Sequence, residues 1–565
     1  MGGLPLLCRR SSNRGVSCFI RLWLVFGRAE AEATLAFFAR EVISMKQEPL
    51  DFRLCNSKPK PEPYFVARST ASGVCIEGEE HVRLGHELDG GLGRETDGIF
   101  GRWDWSGRRL IVENDRYGMY PLFYSTWGNE IRISPAIRHV LAGSFPKTLD
   151  FGALAVFQRL GIFLANDTPF EHVRFLPPGV RLTWANGKIS VEPRFSGASQ
   201  VAPKVGNFDE AVDQYAGLFA QAISRRVPPD GGFDLALSGG RDSRHIFLEL
   251  LAQGHAPRRT VTVQGYPPID DEDRLIACRL TQATGQLHDE VDYPASYLEA
   301  TLQDIELTEF CASGHTWLDP LAGYFSHRGT KCIYDGIGGD VLSAGHTLTE
   351  EKQQLLASGQ TSRLAENLLE ESGNEGFIHS CSQADFRKRI PRSVAIDRLA
   401  EELAQHCGAP NPLLSFVFWN RTRRCIGLIP FGLLRDVETV FCPYLDHDLF
   451  DFLMGLNPAY ARQGLHDETI RRSYPEYADV PYESRSTTPP RQRELDRYYR
   501  KAARETLLYL ARNPGLMRSR LVRTGRFAAM LARSSVARHP GKLWYLQPLL
   551  RRLEMERAAG GIHGL

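Results

Sequence analysis

Between about residues 64 and 150, bulky apolar residues alternate with polar ones in short runs, and Gly, Ser, Asn and Asp separate the runs. A two-residue period predicts half-buried strands, and the separators predict turns. Val74-Cys75-Ile76 and His81-Val82-Arg83-Leu84 are short strand candidates, followed by a longer one over Asp97–Trp105. Ser106-Gly107 marks a hairpin into Arg109–Val112, and Pro121–Tyr124 and Ile131–Ser134 continue the series. Leu176-Pro177-Pro178-Gly179 is a rigid turn ahead of a further strand. Serial hairpins with one apolar face need a second sheet or helices to cover them, so this third of the chain reads as a layered β structure.

The period changes after a polar, proline-containing stretch around 195–206, which reads as a linker. Ala211, Tyr215, Leu218, Phe219, Ala222 and Ile223 recur at helical spacing and predict an amphipathic helix over 208–227. Phe233, Leu235 and Leu237 then alternate as a short strand. Ser238-Gly239-Gly240 follows without a bulky side chain, and Ile246, Phe247, Leu250 and Leu251 place a helix over 243–254. Thr260–Val263 is the next strand. After the acidic run Asp270–Asp273, Leu275, Ala277 and Leu280 lie on a helix ending near Gly285. Alternating strands and helices imply a parallel sheet covered on both faces, with ligands at the carboxyl ends of its strands. Residues 491–557 are strongly basic, with helical spacing around Tyr498–Leu510 and Leu546–Leu553. Lacking an aromatic-interleaved recognition motif, they read as helices packed on the preceding domain, which argues against a nucleic-acid surface.

Composition changes this picture little. The chain is 42% hydrophobic and 24% charged with a net charge of +1, which points to neither nucleic acid nor membrane. Its 11 cysteines include no Cys-x-x-Cys pair and read as reduced thiols of a cytoplasmic protein. The apolar run Val16–Phe26, broken by Arg21, is too short and too charged for a membrane span. Residues 1–44 read as a dispensable extension, with Met45 as the functional start.

The chemistry is concentrated in two glycine-rich loops. Ser238–Ser243 puts a tight loop between a strand and a helix N-terminus. Gly239 and Gly240 let the backbone approach a ligand, and the first helical amides are unsatisfied donors that suit phosphate. Asp242 adds a carboxylate, which makes sense if Mg2+ accompanies a nucleotide. The loop lacks the Gly-Lys-Ser/Thr ending of a Walker motif. Ile333–Gly345 is a second strand running into a glycine-rich loop, with Asp340 embedded. Asp242 and Asp340 together could clamp Mg2+ on pyrophosphate through hard oxygen ligands.

Ser238-Gly239-Gly240-Arg241-Asp242-Ser243 resembles the pyrophosphate loop of N-type ATP pyrophosphatases, enzymes that adenylate acyl or carbonyl groups. Asp335–Gly345 is similar to the Ser-Gly-Glu-Gly-x-Asp-Glu-Leu-x-x-Gly segment of asparagine synthetases, in which Asp340 falls on the metal-binding Asp. Asp97–Phe100, Asp115–Gly118, Pro121–Tyr124 and Ser134–Arg138 resemble the class II glutamine amidotransferase domain of the same family. Pro443–Phe452 is similar to its Pro-Phe-Leu-Asp-x-x-Leu-x-x-Phe segment, where Asp446 reads as a helix cap. On these residues, over about 90–490, the chain is identified as a member of the glutamine-hydrolysing asparagine synthetase family, related to β-lactam synthetases and lasso-peptide cyclases.

The resemblance implies an α/β protein. An N-terminal layered β-rich domain of Ntn-hydrolase type would span 45–200. A doubly wound parallel-sheet ATP pyrophosphatase domain, adenine nucleotide α-hydrolase-like, would span 205–490, and the basic helical tail 491–565. It further implies that Leu237 and Val263 line the adenine pocket and that Ser238, Gly239, Gly240, Asp242, Ser243 and Gly336 bind ATP. Asp242 and Asp340 would hold Mg2+. The late-loop Lys of the family has no counterpart, leaving Arg485 and Arg241 as the catalytic cations, with Arg244 able to share the task. The departures matter more. The family nucleophile is Cys at position 2, whereas this chain has Gly2, and Lys46 follows Met45. The amidotransferase domain therefore reads as degenerate, without glutaminase activity. Two family Glu positions are Ile337 and Val341, so the group that activates the amine is missing. Asp335 is a nearby alternative, though a structural Asp is the commoner occupant of a strand end. The implied activity is an AMP-forming carbon–nitrogen ligase that joins a small-molecule or peptide carboxylate to an amine or ammonia, aspartate amidation being the family default. A homodimer is a possible assembly. The contrasting reading is a non-catalytic ATP-binding scaffold.

Overall fold

The computed structural model describes residues 62–89, 96–195, 205–264, 272–312, 314–345, 349–483 and 492–561. The extension before Met45, Asp270, Asp271 and the candidate cation Arg485 lie outside them.

The first ten strands are β1 (Phe65–Thr70), β2 (Gly73–Gly78), β3 (His81–Leu88), β4 (Asp97–Trp105), β5 (Leu110–Asn114), β6 (Phe123–Trp127), β7 (Glu130–Ser134), β8 (Arg174–Phe175), β9 (Val180–Ala185) and β10 (Lys188–Pro193). They pair into two antiparallel five-stranded sheets, β2-β1-β7-β6-β8 and β10-β9-β5-β4-β3. The alternation predicted for these strands has its cause in one core shared by both sheets. Phe65, Ala67, Ile131 and Ile133 from the first sheet meet Trp103, Trp105, Leu110, Val112, Leu182 and Trp184 from the second. β10 was not among the expected strands. All six of its residues are exposed, so the alternation of Ile189 and Val191 serves an edge and not a core.

The remaining strands are β11 (Asp234–Ala236), β12 (Arg259–Val263), β13 (His288–Val291), β14 (Cys332–Tyr334) and β15 (Thr439–Phe441). They form one parallel sheet in the order β13-β12-β11-β14-β15. The order reverses between β11 and β14, and a sheet of this kind opens its ligand crevice at such a switch point. The two glycine-rich loops follow these two strands. Helices Phe208–Ser224, Arg241–Ala252, Glu272–Thr284 and Asp319–Arg328 accompany the sheet.

The tail contributes helices Gln492–Arg512, Thr524–Val536 and Leu546–Ala558. They are packed in: Leu546, Leu549, Leu550 and Leu553 are fully buried, and Tyr498 donates to the Pro294 carbonyl (2.9 Å). Most of the charge in this tail lies on the outward faces of helices whose inner faces join the main core, but Arg551 and Arg552 are buried, Arg552 donating to Gln158 (2.5 Å) and Ser382 (2.8 Å).

The antiparallel and parallel sheets meet along β15, which packs on β3 and β4. The His86 ring stands edge-on to Phe441 at 5.0 Å between centroids. Buried arginines tie this seam. Arg226 donates to Asp97 at the start of β4 (2.5 Å) and to Asp446 (2.8 Å). Arg423 donates to the carbonyls of Ala165 (3.1 Å) and Leu176 (2.6 Å), and Arg424 to that of Asp167.

Candidate active site

Leu237, fully buried, carries β11 to the switch point, where its amide donates to the Val261 carbonyl (2.9 Å). The loop then braces itself. Ser243 Oγ accepts the Ser238 amide (3.0 Å), Ser238 Oγ accepts the Gly240 amide (3.2 Å), and the two hydroxyls are 3.0 Å apart. Gly240 is the N-cap of Arg241–Ala252 and offers no side-chain cap, so the first amides of that helix keep donor capacity. Gly239 is required by a close approach. A Cβ there would meet Asp273 Oδ1 at 3.0 Å and Ile276 Cβ at 3.1 Å, and its amide donates to Asp273. Asp273 belongs to an acidic run whose role the sequence did not disclose. Val263 is buried at the end of β12 beside β11.

The second loop closes onto the first. Asp242 Oδ2 accepts the Asp340 amide at 3.0 Å. A Cβ on Gly336 would lie 2.7 Å from Asp242 Cβ, and one on Gly339 would lie 2.5 Å from Asp242 Cγ and 2.6 Å from Oδ1. The two glycines thus form a slot for one carboxylate. Asp242 Oδ1 accepts no hydrogen bond inside this slot, and His466 Nδ1 stands 3.6 Å from it. Asp340 is exposed on the outer side. Burial, then the neighbouring Asp340 and Asp335 carboxylates, push Asp242 well above the usual carboxylate range. Burial raises Asp335 to about 6, and its Oδ1 accepts the Ile337 amide (2.8 Å). Asp335 is therefore turned into its own loop, as a strand-end structural residue. Ile337 and Val341 are buried.

His466 was not visible in the sequence as part of this site. It is buried, with Nδ1 2.8 Å from Ser343 Oγ and Nε2 3.2 Å from Tyr444 OH. Ser343 Oγ donates its one proton to the Gly339 carbonyl (2.6 Å), so it accepts from His466 and fixes the proton on Nδ1, the nitrogen nearest Asp242.

The candidate cations differ from expectation in their surroundings. Arg241 is clasped by Asp467, with a second bond of 2.8 Å from Nη2, and its guanidinium lies 4.7 Å from the Tyr482 ring centre. Arg244 is buried and donates to the carbonyls of Val480 (2.7 Å) and Pro481 (2.5 Å), fixing the segment that leads toward Arg485. Asp446 is the predicted cap of His447–Gly455, accepting from the amides of Asp448 (3.1 Å) and Leu449 (3.4 Å).

The donor set fits a hard divalent cation. It offers one orphaned oxygen, the buried Oδ1 of the half-buried Asp242, and the exposed carboxylate of Asp340 from the second loop. An anionic nucleotide would also be repelled by Asp242, Asp335 and Asp340 unless a cation stood between. Gly339→Ala tests the slot. The added methyl cannot be relieved by sliding Asp242 away, because Gly336 already packs against its Cβ. We expect a stability loss of about 1–3 kcal/mol from overpacking, together with loss of stabilisation by Mg·ATP. Gly217→Ala, whose Cβ meets nothing within 4 Å on a helix, should be neutral or stabilising by up to about 1 kcal/mol. Thermal unfolding with and without Mg·ATP reads both; equal responses would remove the slot argument.

Comparisons with known proteins match two stretches of the chain. A family model described as a glutamine amidotransferase domain matches residues 91–195, and one described as asparagine synthase matches residues 214–413. The chain is 26% identical over 208 residues to asparagine synthetase [glutamine-hydrolyzing] 3 of Bacillus subtilis (strain 168), covering 34% of this chain. The match spans only 33% of that relative's length. Among solved structures, a glutamine phosphoribosylpyrophosphate amidotransferase from B. subtilis, complexed with ADP and GMP, aligns at 12% identity over 49% of this chain and 46% of that one. Its TM-score of 0.13 gives it no weight on the fold.

Proposed function

Because the chain belongs to the asparagine synthetase family, we propose that it is an ATP-dependent amide ligase that adenylates a carboxylate, releases pyrophosphate and passes the acyl group to an amine or ammonia with release of AMP. The observation that carries this reading is the Gly336–Gly339 slot, which presents Asp242 at the carboxyl end of the parallel sheet beside the self-braced Ser238–Ser243 loop. Leu237 and Val263 supply apolar walls for adenine. The uncapped first amides of Arg241–Ala252, which the self-braced loop holds at the switch point, bind phosphate oxygens. Asp242 and Asp340 would hold Mg2+, which when bound neutralises charge on the phosphates and the departing pyrophosphate. His466 stands beside Asp242 with Nδ1 3.6 Å from Oδ1, and Arg241, held by Asp467, is the proposed cation of the site together with Arg485.

The amine arrives without a carboxylate base at Ile337 or Val341, so it must be already neutral or deprotonated by a group of the substrate. We further propose that the N-terminal domain does not hydrolyse glutamine. Its described residues include one cysteine, Cys75, which is exposed on the edge strand β2, and Asp97 is held by Arg226. Cys8, Cys18 and Cys55 lie outside the described residues.

ATP–pyrophosphate exchange with a panel of carboxylates, aspartate first, tests ligation. Exchange with one of them is expected, and glutamine is expected to yield no ammonia. Glutamine-dependent ammonia release would overturn the second proposal. The buried Ile337 and Val341 favour one other reading, a nucleotide-binding scaffold. Intact ATP binding with no exchange for any carboxylate would decide for it.

A further inference from the structure

Away from the switch point, at the far edge of the parallel sheet, three side chains of different chemistry converge. His288 and Glu290 lie two residues apart on edge strand β13 and so share a face, and Cys278 reaches that face from helix Glu272–Thr284. One ligand atom from each lies within 4.8 Å of the others. We propose that Cys278, His288 and Glu290 bind a borderline-soft divalent metal of the zinc type.

The imidazole is preset for this role. Thr260, directly across from His288 in the register, donates its hydroxyl proton to the Leu287 carbonyl (3.1 Å). Its Oγ1 also lies 2.8 Å from His288 Nδ1. Having spent its one proton, the hydroxyl must accept from Nδ1–H. The proton is thereby fixed on Nδ1, and Nε2 keeps its lone pair. Nε2 is shielded from solvent and has no hydrogen-bond partner. An outer hydrogen bond on one nitrogen and a bare lone pair on the other is the arrangement that supports a metal-bound histidine.

The carboxylate is also oriented. Arg274 Nη1 contacts both oxygens of Glu290 at 2.8 Å, and Cys278 Sγ lies 3.7 Å from Oε1. Zinc bonds of about 2.0–2.3 Å require ligand separations about 1 Å smaller than the widest found here. Rotation of the exposed Glu290 and the half-buried Cys278 can supply that closure. Arg274 can stay on Oε2 while Oε1 turns to the metal, since a carboxylate has lone pairs for both. Binding replaces the Cys278 proton: one M2+ enters, the thiol becomes a thiolate, and one proton leaves to solvent. A thiolate and an imidazole exclude magnesium as the preferred guest. The helix that carries Cys278 also carries Asp273, the acceptor of the Gly239 amide, so metal here would anchor one wall of the nucleotide loop.

Cobalt(II) added to the reduced full chain is the probe. We expect one equivalent to bind with a thiolate-to-cobalt charge-transfer band, to be displaced by zinc, and to release one proton. Cys278→Ser should abolish the band, and Cys75→Ser, at an exposed thiol elsewhere, should keep it. Thr260→Val, which removes the acceptor that sets the tautomer, should weaken binding about 10- to 100-fold. A band that persists in Cys278→Ser, or its absence from the unmodified chain, overturns the site. None of these readouts depends on ligase activity, so they stand apart from the function proposed above.

Discussion

Asp242→Asn is expected to make the protein more stable and less active. The carboxylate is pressed into the Gly336–Gly339 slot with Asp340 and Asp335 nearby, and its pKa is raised by burial first and by those neighbours second. An acid whose folded pKa exceeds its unfolded value of about 4 binds its proton more tightly in the folded state. Its ionisation therefore destabilises the fold. Stability is fully retained below pH ~4 and falls as pH rises through the folded pKa. Asp335, raised to about 6, acts in the same direction. The amide keeps the shape and removes the charge. Asp242→Asn should thus unfold at a higher temperature than the parent at pH 7–8, with a smaller loss of stability between pH 5 and 8 and a residual slope from Asp335. The same change removes one ligand of the proposed cation, and losing a preorganised electrostatic contact at the reacting phosphates costs about 10²–10³-fold in rate. Thermal unfolding against pH and pyrophosphate release together read the two effects. Full pyrophosphate release by the variant would sink the metal role, and an unchanged pH profile would sink the account of its burial.

Arg226→Ala should be the most damaging change outside the site. Its guanidinium is buried between Asp97 and Asp446, and Asp446 is completely buried as well as capping His447–Gly455. Arg225 shares Asp446 at 3.0 Å, but its other bond goes to Asp448 (2.8 Å) and not to Asp97. Truncation would leave a buried carboxylate unpaired on the seam. Breaking a buried pair on one side costs about 3–5 kcal/mol. Denaturant unfolding should show that loss, and in an Asp97→Asn background the same truncation should cost less, because one stranded charge is already gone. Equal costs in both backgrounds would mean that Asp97 and Arg226 are not coupled.

The parts legible in the sequence are those whose signal is local. Ser238–Ser243 and Asp335–Gly345 each carry strand, glycine turn and carboxylate within about a dozen positions, and the cap at Asp446 needs only the helix it begins. What stayed hidden depends on partners far along the chain. Arg241 looks like a free cation beside a phosphate loop, but its clasp, Asp467, is 226 residues away. Arg226 reads as the polar end of an amphipathic helix, and its partner Asp97 is 129 residues away. His466 is a lone histidine on a short polar helix until the fold brings Ser343 and Tyr444 to its two nitrogens. β10 escaped for the opposite reason: it buries nothing, so it left no contrast to read.

The arginines of the seam divide evolutionary freedom unequally between the domains they join. Arg423 and Arg424 take hold of main-chain carbonyls at Ala165, Asp167 and Leu176. A carbonyl is supplied by whatever residue occupies the position. Positions 165, 167 and 176 can therefore vary without losing these carbonyl grips, while Asn166 and Phe175, which the same arginines reach through their side chains, are held to their identity, and neither arginine can be exchanged even for lysine without losing a forked donor. Variation among descendants of this chain should fall first on the positions that offer only a carbonyl and spare Arg423, Arg424, Asn166 and Phe175, whatever chemistry the N-terminal domain performs.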